Sequence, residues 1–312
     1  MGTPEFSVSS LEVLFKHDHI DLALVISQED KPSGRGQALR SPPVAAFAKK
    51  KALNLIQTQN INKNESFHHF LLENKIDFIF VMAFSQFLGE KILKATRLGC
   101  FNVHTSLLPK YRGAAPIQYA LLNGDKETGI SIQRMVKKMD AGDIVYETTV
   151  SINPDETSFT LFSRLQILTA QHLPLFLEKL IQSALTYRSQ NEEEATFAPI
   201  IKKEDGLIQF EKENITNLLN KLKAYASWPG LYAFSGKKRV KFLELAPCSE
   251  NIPPGVVDLS RGEILIGVQD GSIRVRKIQF EGKKSCSDID YLNGQKGKAF
   301  SLVFSTTPKA SV

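Results

Sequence analysis

The run IDFIFVMAF, residues 76–84, constrains this chain more than any other stretch. Only Asp77 interrupts it, and it is far shorter than the roughly 20 apolar residues that a membrane-crossing helix needs. A short, nearly continuous apolar run reads as a strand covered on both faces. Such strands belong to sheets flanked by helices on each side. The neighbouring segments agree. IDLALVI (20–26) and CFNV (100–103) are further strand candidates. SPPVAAFAKKKA (41–52) is a helix opened by Ser and Pro, and FHHFLLENK is another. GEKILKATRLG is a short helix closed by Gly99, APIQYALLNGD a helix with a Gly stop, and 157–184 a long helix. TGISIQRM and GDIVYETTV form a pair of strands. The alternation predicts an α/β domain with a Rossmann-like, mostly parallel sheet over residues 1–183.

Over 184–202 the composition shifts to acids, Ser, Gln and Pro, which predicts a linker. From 203 to 312 one helix, NITNLLNKLKAYA, precedes short strands with Gly and Pro turns: LYAFSG, KRVKFLEL, GVVDLS and GEILIGVQDGSIRVRKIQF. That pattern predicts a small β-barrel.

Charge separates the two regions. Residues 203–312 hold 17 Lys and Arg against 12 acids, while residues 1–202 hold 22 against 21. A basic C-terminal third suits a polyanionic partner, though a solvated basic face is the plain alternative. Cys100, Cys248 and Cys286 are far apart and lack metal spacing, as expected of reduced thiols in a cytosolic protein. No apolar run is long enough to span a membrane, and the first residues have no signal or transit pattern. There is no phosphate-cradling G-x-x-x-x-G-K-[ST], no H-E-x-x-H or paired C-x-x-C, and no G-x-S-x-G. Nucleotide triphosphate cleavage, a catalytic metal and a serine nucleophile are therefore not expected.

Chemistry concentrates in CFNVHTSLLPKYRGAAP, residues 100–116. Asn102 and His104 stand two apart in a strand, so they share a face. Ligands of open α/β sheets bind beyond the carboxyl ends of the strands, where this segment runs into a loop set by Pro109, Gly113 and Pro116. An Asn amide and a protonated imidazole can both donate to an oxyanion; they can equally satisfy turn backbone. In KKMDAGDIVY (137–146), Asp140 precedes an Ala-Gly turn. A carboxylate beside an imidazole favours its charged, donating form, but an Asx-turn is the commoner fate of Asp there, and spacing alone does not bring it to His104. KPSGRGQALRSPP (31–43) carries Arg35 on a Gly-flanked loop, ordinarily a mobile surface loop and alternatively a probe of a nucleic-acid groove.

Taken in order, GTPEF, SGRG, FNVHTSLLPKYRGAAPIQYALLNGDKETGISI, MDAGDIVY, YASWPG and FEGKK resemble the methionyl-tRNA formyltransferase family over nearly the whole chain. The Asn-x-His-x-Ser-Leu-Leu-Pro and Asp-x-Gly-Asp blocks are shared with other enzymes that use 10-formyltetrahydrofolate. The resemblance implies a catalytic trio of Asn102, His104 and Asp140, and a folate site lined by Ser106, Leu107, Leu108 and Pro109. It implies transfer of a formyl group from 10-formyltetrahydrofolate to the α-amino group of initiator methionyl-tRNA, without a metal, by a monomer in a bacterial cytoplasm. It further implies an OB-like C-terminal barrel along the tRNA, with Arg35 at the acceptor stem and Lys238, Arg239, Lys241, Arg274 and Arg276 as candidate tRNA contacts. Two other functions are kept beside it: a sibling enzyme that formylates a small amine such as glycinamide ribonucleotide or an amino sugar nucleotide, and a non-catalytic tRNA-binding protein. Members of the family also carry a strand before GTP, so about 5–10 further residues, one strand's worth, are expected upstream of Met1.

Overall fold

The computed structural model describes residues 1–33, 38–295 and 302–308. The chain divides into two compact units. The first comprises Met1–Pro116, Glu127–Ser151 and Phe162–Pro199; the second comprises Ile117–Lys126, Ile152–Leu161 and Ile200–Val312.

In the first unit the chain lays down strands β1 (Val25–Ser27), β2 (Leu55–Gln57), β3 (Phe78–Met82), β4 (Gly99–His104), β5 (Glu127–Arg134) and β6 (Ile144–Ser151). β1 pairs with β2 and β3 with β4, both in parallel. β5 and β6 extend the sheet beyond β4 as antiparallel strands. The predicted parallel sheet thus carries an antiparallel edge. The connection from β5 to β6 is too short for the crossover that a parallel pair requires.

Residues 20–24, predicted to extend β1, form no ladder. They line a cavity of about 510 Å³ together with Ile79, Phe80 and Leu180. Met1 and Gly2 join the two halves of the sheet beside it. Gly2 N–H donates to the Ile26 carbonyl at 3.0 Å and bridges Met82 in parallel, and Met82 N–H donates to the Met1 carbonyl at 2.9 Å.

Sequence patterning missed the helix Phe6–Lys16, which buries Phe6, Ser10, Leu11 and Leu14. Two serines in the buried stripe weaken its apolar period. The helices Pro43–Lys50 and Glu65–Glu73 lie where expected, the latter capped by the Asn64 side chain. The long helix Ser158–Ile181 buries Phe176 against Phe80 and Phe101, with ring centroids 6.0 and 5.3 Å away. That contact holds the centre of the sheet, and with it β4, in place.

The second unit contains β7 (Leu231–Ser235), β8 (Lys238–Cys248), β9 (Val257–Asp258), β10 (Leu265–Val268), β11 (Gly271–Phe280) and β12 (Cys286–Ser287). They form a six-stranded antiparallel sheet in the order β7-β8-β11-β10-β9, with β12 also on β11. Val240, Phe242, Ile273, Val275 and Ile278 are buried on one face. No pairing among the described residues closes this sheet into the predicted barrel. β9 and β12 are two residues each, too short to carry a ladder round. Among the described residues no helix is long and apolar enough to cross a membrane.

Candidate active site

β4 lies inside the sheet of the first unit, with β3 on one side and β5 on the other. Its register with β5 pairs Asn102 with Gln133 and His104 with Ser131. Residues directly opposite in an antiparallel pair share a face, so these four side chains share one patch of the sheet. The loop after β4 and the turn after β5 bring backbone and a carboxylate to that patch.

His104 is buried, at 6% exposure. Its Nε2 lies 2.8 Å from the Tyr111 carbonyl, which can only accept, so Nε2 carries hydrogen. Its Nδ1 lies 3.7 Å from Asp140 Oδ2. The structure therefore brings together two residues 36 positions apart, which spacing could not do. Asp140 Oδ1 accepts from Gln133 Nε2 at 2.8 Å, and Oδ2 accepts from Gly113 N–H at 2.9 Å. Asn102 is half-buried, and its amide makes no hydrogen bond among the described residues. An unengaged amide beside an imidazole anchored through Nε2 is a donor left open in the site.

The backbone around the site is unusual. Tyr111 and Asp140 both have positive φ, 61° and 50°. Non-glycine residues seldom adopt this region, and where they do it often marks a functional constraint. Two glycines are required by close approach. A Cβ on Gly142 would lie 1.7 Å from the Arg134 carbonyl, and one on Gly113, whose φ is 124°, would lie 2.6 Å from the Ala198 carbonyl.

Of the residues implied to line a folate site, only Leu107 is partly exposed. Ser106, Leu108 and Pro109 are buried. The Ser106 hydroxyl donates to the Lys110 carbonyl at 2.6 Å, and Leu108 N–H donates to Ser131 Oγ at 3.0 Å. These bonds tie Ser106 and Leu108 into the loop.

The segment predicted as a linker is in large part a wall of the site. Arg188 exchanges both backbone hydrogen bonds with Ile144, and Ser189 Oγ donates to Asp143. Phe197–Ala198 pairs in parallel with Arg112–Gly113. Arg112, wholly buried, donates to Gln190 and bidentately to Glu192. Bonds from Arg112, and then from Lys138, hold the Glu192 carboxyl down at about 2. Gln133, Arg112 and Gln190 were missed because amides and a buried Arg carry no local signature. Only the paired register of β4 and β5 points to Gln133.

The proposed tRNA contacts lie in different settings. Arg35 lies outside the described residues; the strands Lys31–Ser33 and Ala38–Arg40 pair on either side of it. Lys238 and Arg276 are exposed, and Arg239 and Lys241 are half-exposed at positions alternating with buried Val240 and Phe242. Arg239 also stacks over Tyr232, 5.6 Å from the ring centroid. Arg274 is engaged within its own unit, donating to Asp288 at 2.8 Å and to Glu263 at 2.5 Å.

Comparison with known proteins fits this geometry. A family profile described as formyl transferase matches residues 1–177, and one described as formyl transferase, C-terminal domain matches residues 200–296. The methionyl-tRNA formyltransferase of Thermotoga maritima is 42% identical over 297 residues, covering 95% of this chain and 94% of its own. That of Geobacter metallireducens is 37% identical over 295 residues, covering 94% of each. Among solved structures, WlaRD, a sugar 3N-formyl transferase crystallised with dTDP and 5-N-formyl-THF, matches with a TM-score of 0.65 at 19% identity, covering 91% of this chain and 97% of that one. The N-formyltransferase of Helicobacter canadensis, in complex with folinic acid and dTDP-3-aminofucose, matches with a TM-score of 0.61 at 18% identity, covering 88% and 96%. At such identities the likeness concerns the fold.

Proposed function

The chain belongs to the methionyl-tRNA formyltransferase family, and from that premise we propose that Asn102, His104 and Asp140 carry the transfer. The enzyme moves a formyl group from 10-formyltetrahydrofolate to the α-amino group of methionyl-tRNA. The α-amino group, neutral in a useful fraction near neutral pH, attacks the formyl carbon, and the carbonyl oxygen takes up negative charge. The Asn102 amide donates to that oxygen, and so does His104 through Nδ1–H in its protonated form, Nε2–H being held by the Tyr111 carbonyl. A donor of this kind typically contributes about 10²–10³ in rate. Asp140 orients His104 and takes up the proton that leaves the amine. As the tetrahedral adduct collapses, the bond between the formyl carbon and N10 of the folate breaks, the N10 nitrogen takes up that proton, and tetrahydrofolate leaves. No covalent bond to the protein is needed. The observation that carries this assignment is the vacant Asn102 amide on the same strand face as His104.

The residues present fit a folate-borne formyl donor. The loop 106–109 is braced by its own buried bonds, so a flat heterocycle would rest against a fixed backbone and Leu107. The second unit would lie along tRNA through Lys238, Arg239, Lys241 and Arg276, as an OB-like sheet. Arg35 would meet the acceptor stem of the initiator. A monomer in the bacterial cytoplasm suits a translation enzyme.

The test offers labelled 10-formyltetrahydrofolate with charged initiator tRNA, uncharged tRNA and glycinamide ribonucleotide in parallel. Label is expected on charged tRNA alone; label on the ribonucleotide instead overturns the assignment.

A further inference from the structure

Resting on the role of Asp140 just described, we infer that Gln133 and Gln190 are positioning residues for the transfer, clamping the Asp140 turn from two sides. Each amide works with both of its ends. Gln133, buried at 2% exposure, donates from Nε2 to Asp140 Oδ1 at 2.8 Å and accepts on Oε1 from Gly142 N–H at 3.1 Å. Gln190 donates from Nε2 to the backbone carbonyls of Asp140, at 2.9 Å, and Gly142, at 2.7 Å. Its Oε1 accepts two bonds from the buried Arg112 guanidinium, at 3.0 Å from Nε and 2.8 Å from Nη2. Arg112 is fixed in turn by Glu192. The side chain and the backbone of Asp140 are thus held by separate amides, from β5 and from the segment before Phe197.

The clamp explains a distance. A carboxylate free to rotate beside a histidine closes to a hydrogen bond of about 2.7–2.9 Å. Here Oδ2 stands 3.7 Å from His104 Nδ1. Gln133 holds Oδ1, Gly113 N–H holds Oδ2, and the left-handed backbone of Asp140 is pinned through its own carbonyl. The carboxylate therefore keeps an oxygen near the imidazole without being consumed by it. That oxygen stays available for the proton released by the attacking amine. Such preorganisation by surrounding bonds is worth most where a fixed angle decides proton transfer.

The ordinary role for these amides is to close a turn. That role costs stability when removed and is indifferent to Asp140. A double-mutant cycle separates the two. Gln190→Leu and Gln133→Leu, which remove the amide at similar volume, are measured alone and in an Asp140→Ala background under single-turnover conditions. Melting temperatures and the KM for each substrate accompany the rates. The expected result is a 10- to 100-fold loss of kcat in each single variant, KM for both substrates within threefold, and less than a twofold further loss when Asp140 is already alanine.

Folded single variants at full rate, or equal losses in both backgrounds, overturn the inference while leaving Asp140 in its role. Full activity of Asp140→Ala itself would instead remove the role on which the clamp rests. If Gln190→Leu does not fold, Gln133→Leu decides. If neither folds, the amides serve stability and the inference falls.

Discussion

Asn102 and His104 differ in how much their surroundings depend on them. The imidazole is buried and bonded on one nitrogen, so removing it disturbs packing as well as chemistry. The amide is half-buried and bonds to nothing described. Asn102→Ala therefore isolates the chemical contribution. It is expected to lower kcat about 10²–10³-fold while leaving the melting temperature and methionyl-tRNA affinity near their starting values. Rate, thermal unfolding and filter binding on one preparation check this. A variant that keeps its rate would leave the oxyanion without its proposed donor. The same separation distinguishes an enzyme from a tRNA-binding protein that merely retains the fold.

At the scale of elements, the weak line in the first unit runs between β1 and β3. Their facing edges meet through Met1 and Gly2, and beyond them the cavity of about 510 Å³ lies between residues 20–26 and 76–80. The walls include Leu22, Leu24, Ile79 and Phe80. A parallel sheet leaves its edges paired or covered, because unpaired backbone groups are costly when buried. An extended apolar segment of about five or six residues, a usual strand length, fused ahead of Met1 is expected to occupy this line. Its N–H and C=O groups would then pair with both edges. The expected sign is a higher melting temperature and slower amide exchange in Phe78–Met82. Identical values with and without the extension would show that Met1 and Gly2 suffice.

At the scale of the whole molecule, the proposed binding of tRNA draws on an unequal distribution of charge. The excess of 17 basic residues over 12 acids beyond residue 202 is borne by side chains in different states. Arg239 and Lys241 are half-exposed, whereas Arg274 is bound to Asp288, which is 1% exposed. Replacing Arg239 and Lys241 together by alanine is expected to weaken tRNA binding and flatten its salt dependence by about one to two in the log–log slope. Arg274→Ala is expected to leave the slope unchanged and lower the urea midpoint, since a buried carboxylate loses its partner. An Arg274 variant that changes the slope would return that residue to the interface.

The amino-acid sequence alone determined the family, the alternation of strands and helices apart from the helix Phe6–Lys16 and the strand Leu55–Gln57, and the shared face of Asn102 and His104 on β4. Asn102 and His104 were legible because strand geometry puts residues two apart on one face, whatever the rest of the fold does. The nearly continuous apolar run of β3 was legible because burial on both faces leaves its mark on consecutive residues. Tertiary structure alone decided that Asp140 meets His104, that Gln133 and Gln190 hold it, and that residues 185–199 wall the site. It also decided that Arg274 pairs with Asp288 and Glu263, and that among the described residues no pairing closes the second sheet. The physical reason is the same throughout. Burial and periodicity act between near neighbours in the chain, whereas the hydrogen bonds and ion pairs of the site join residues 7 to 80 positions apart through strand register and loop path, which no local pattern encodes.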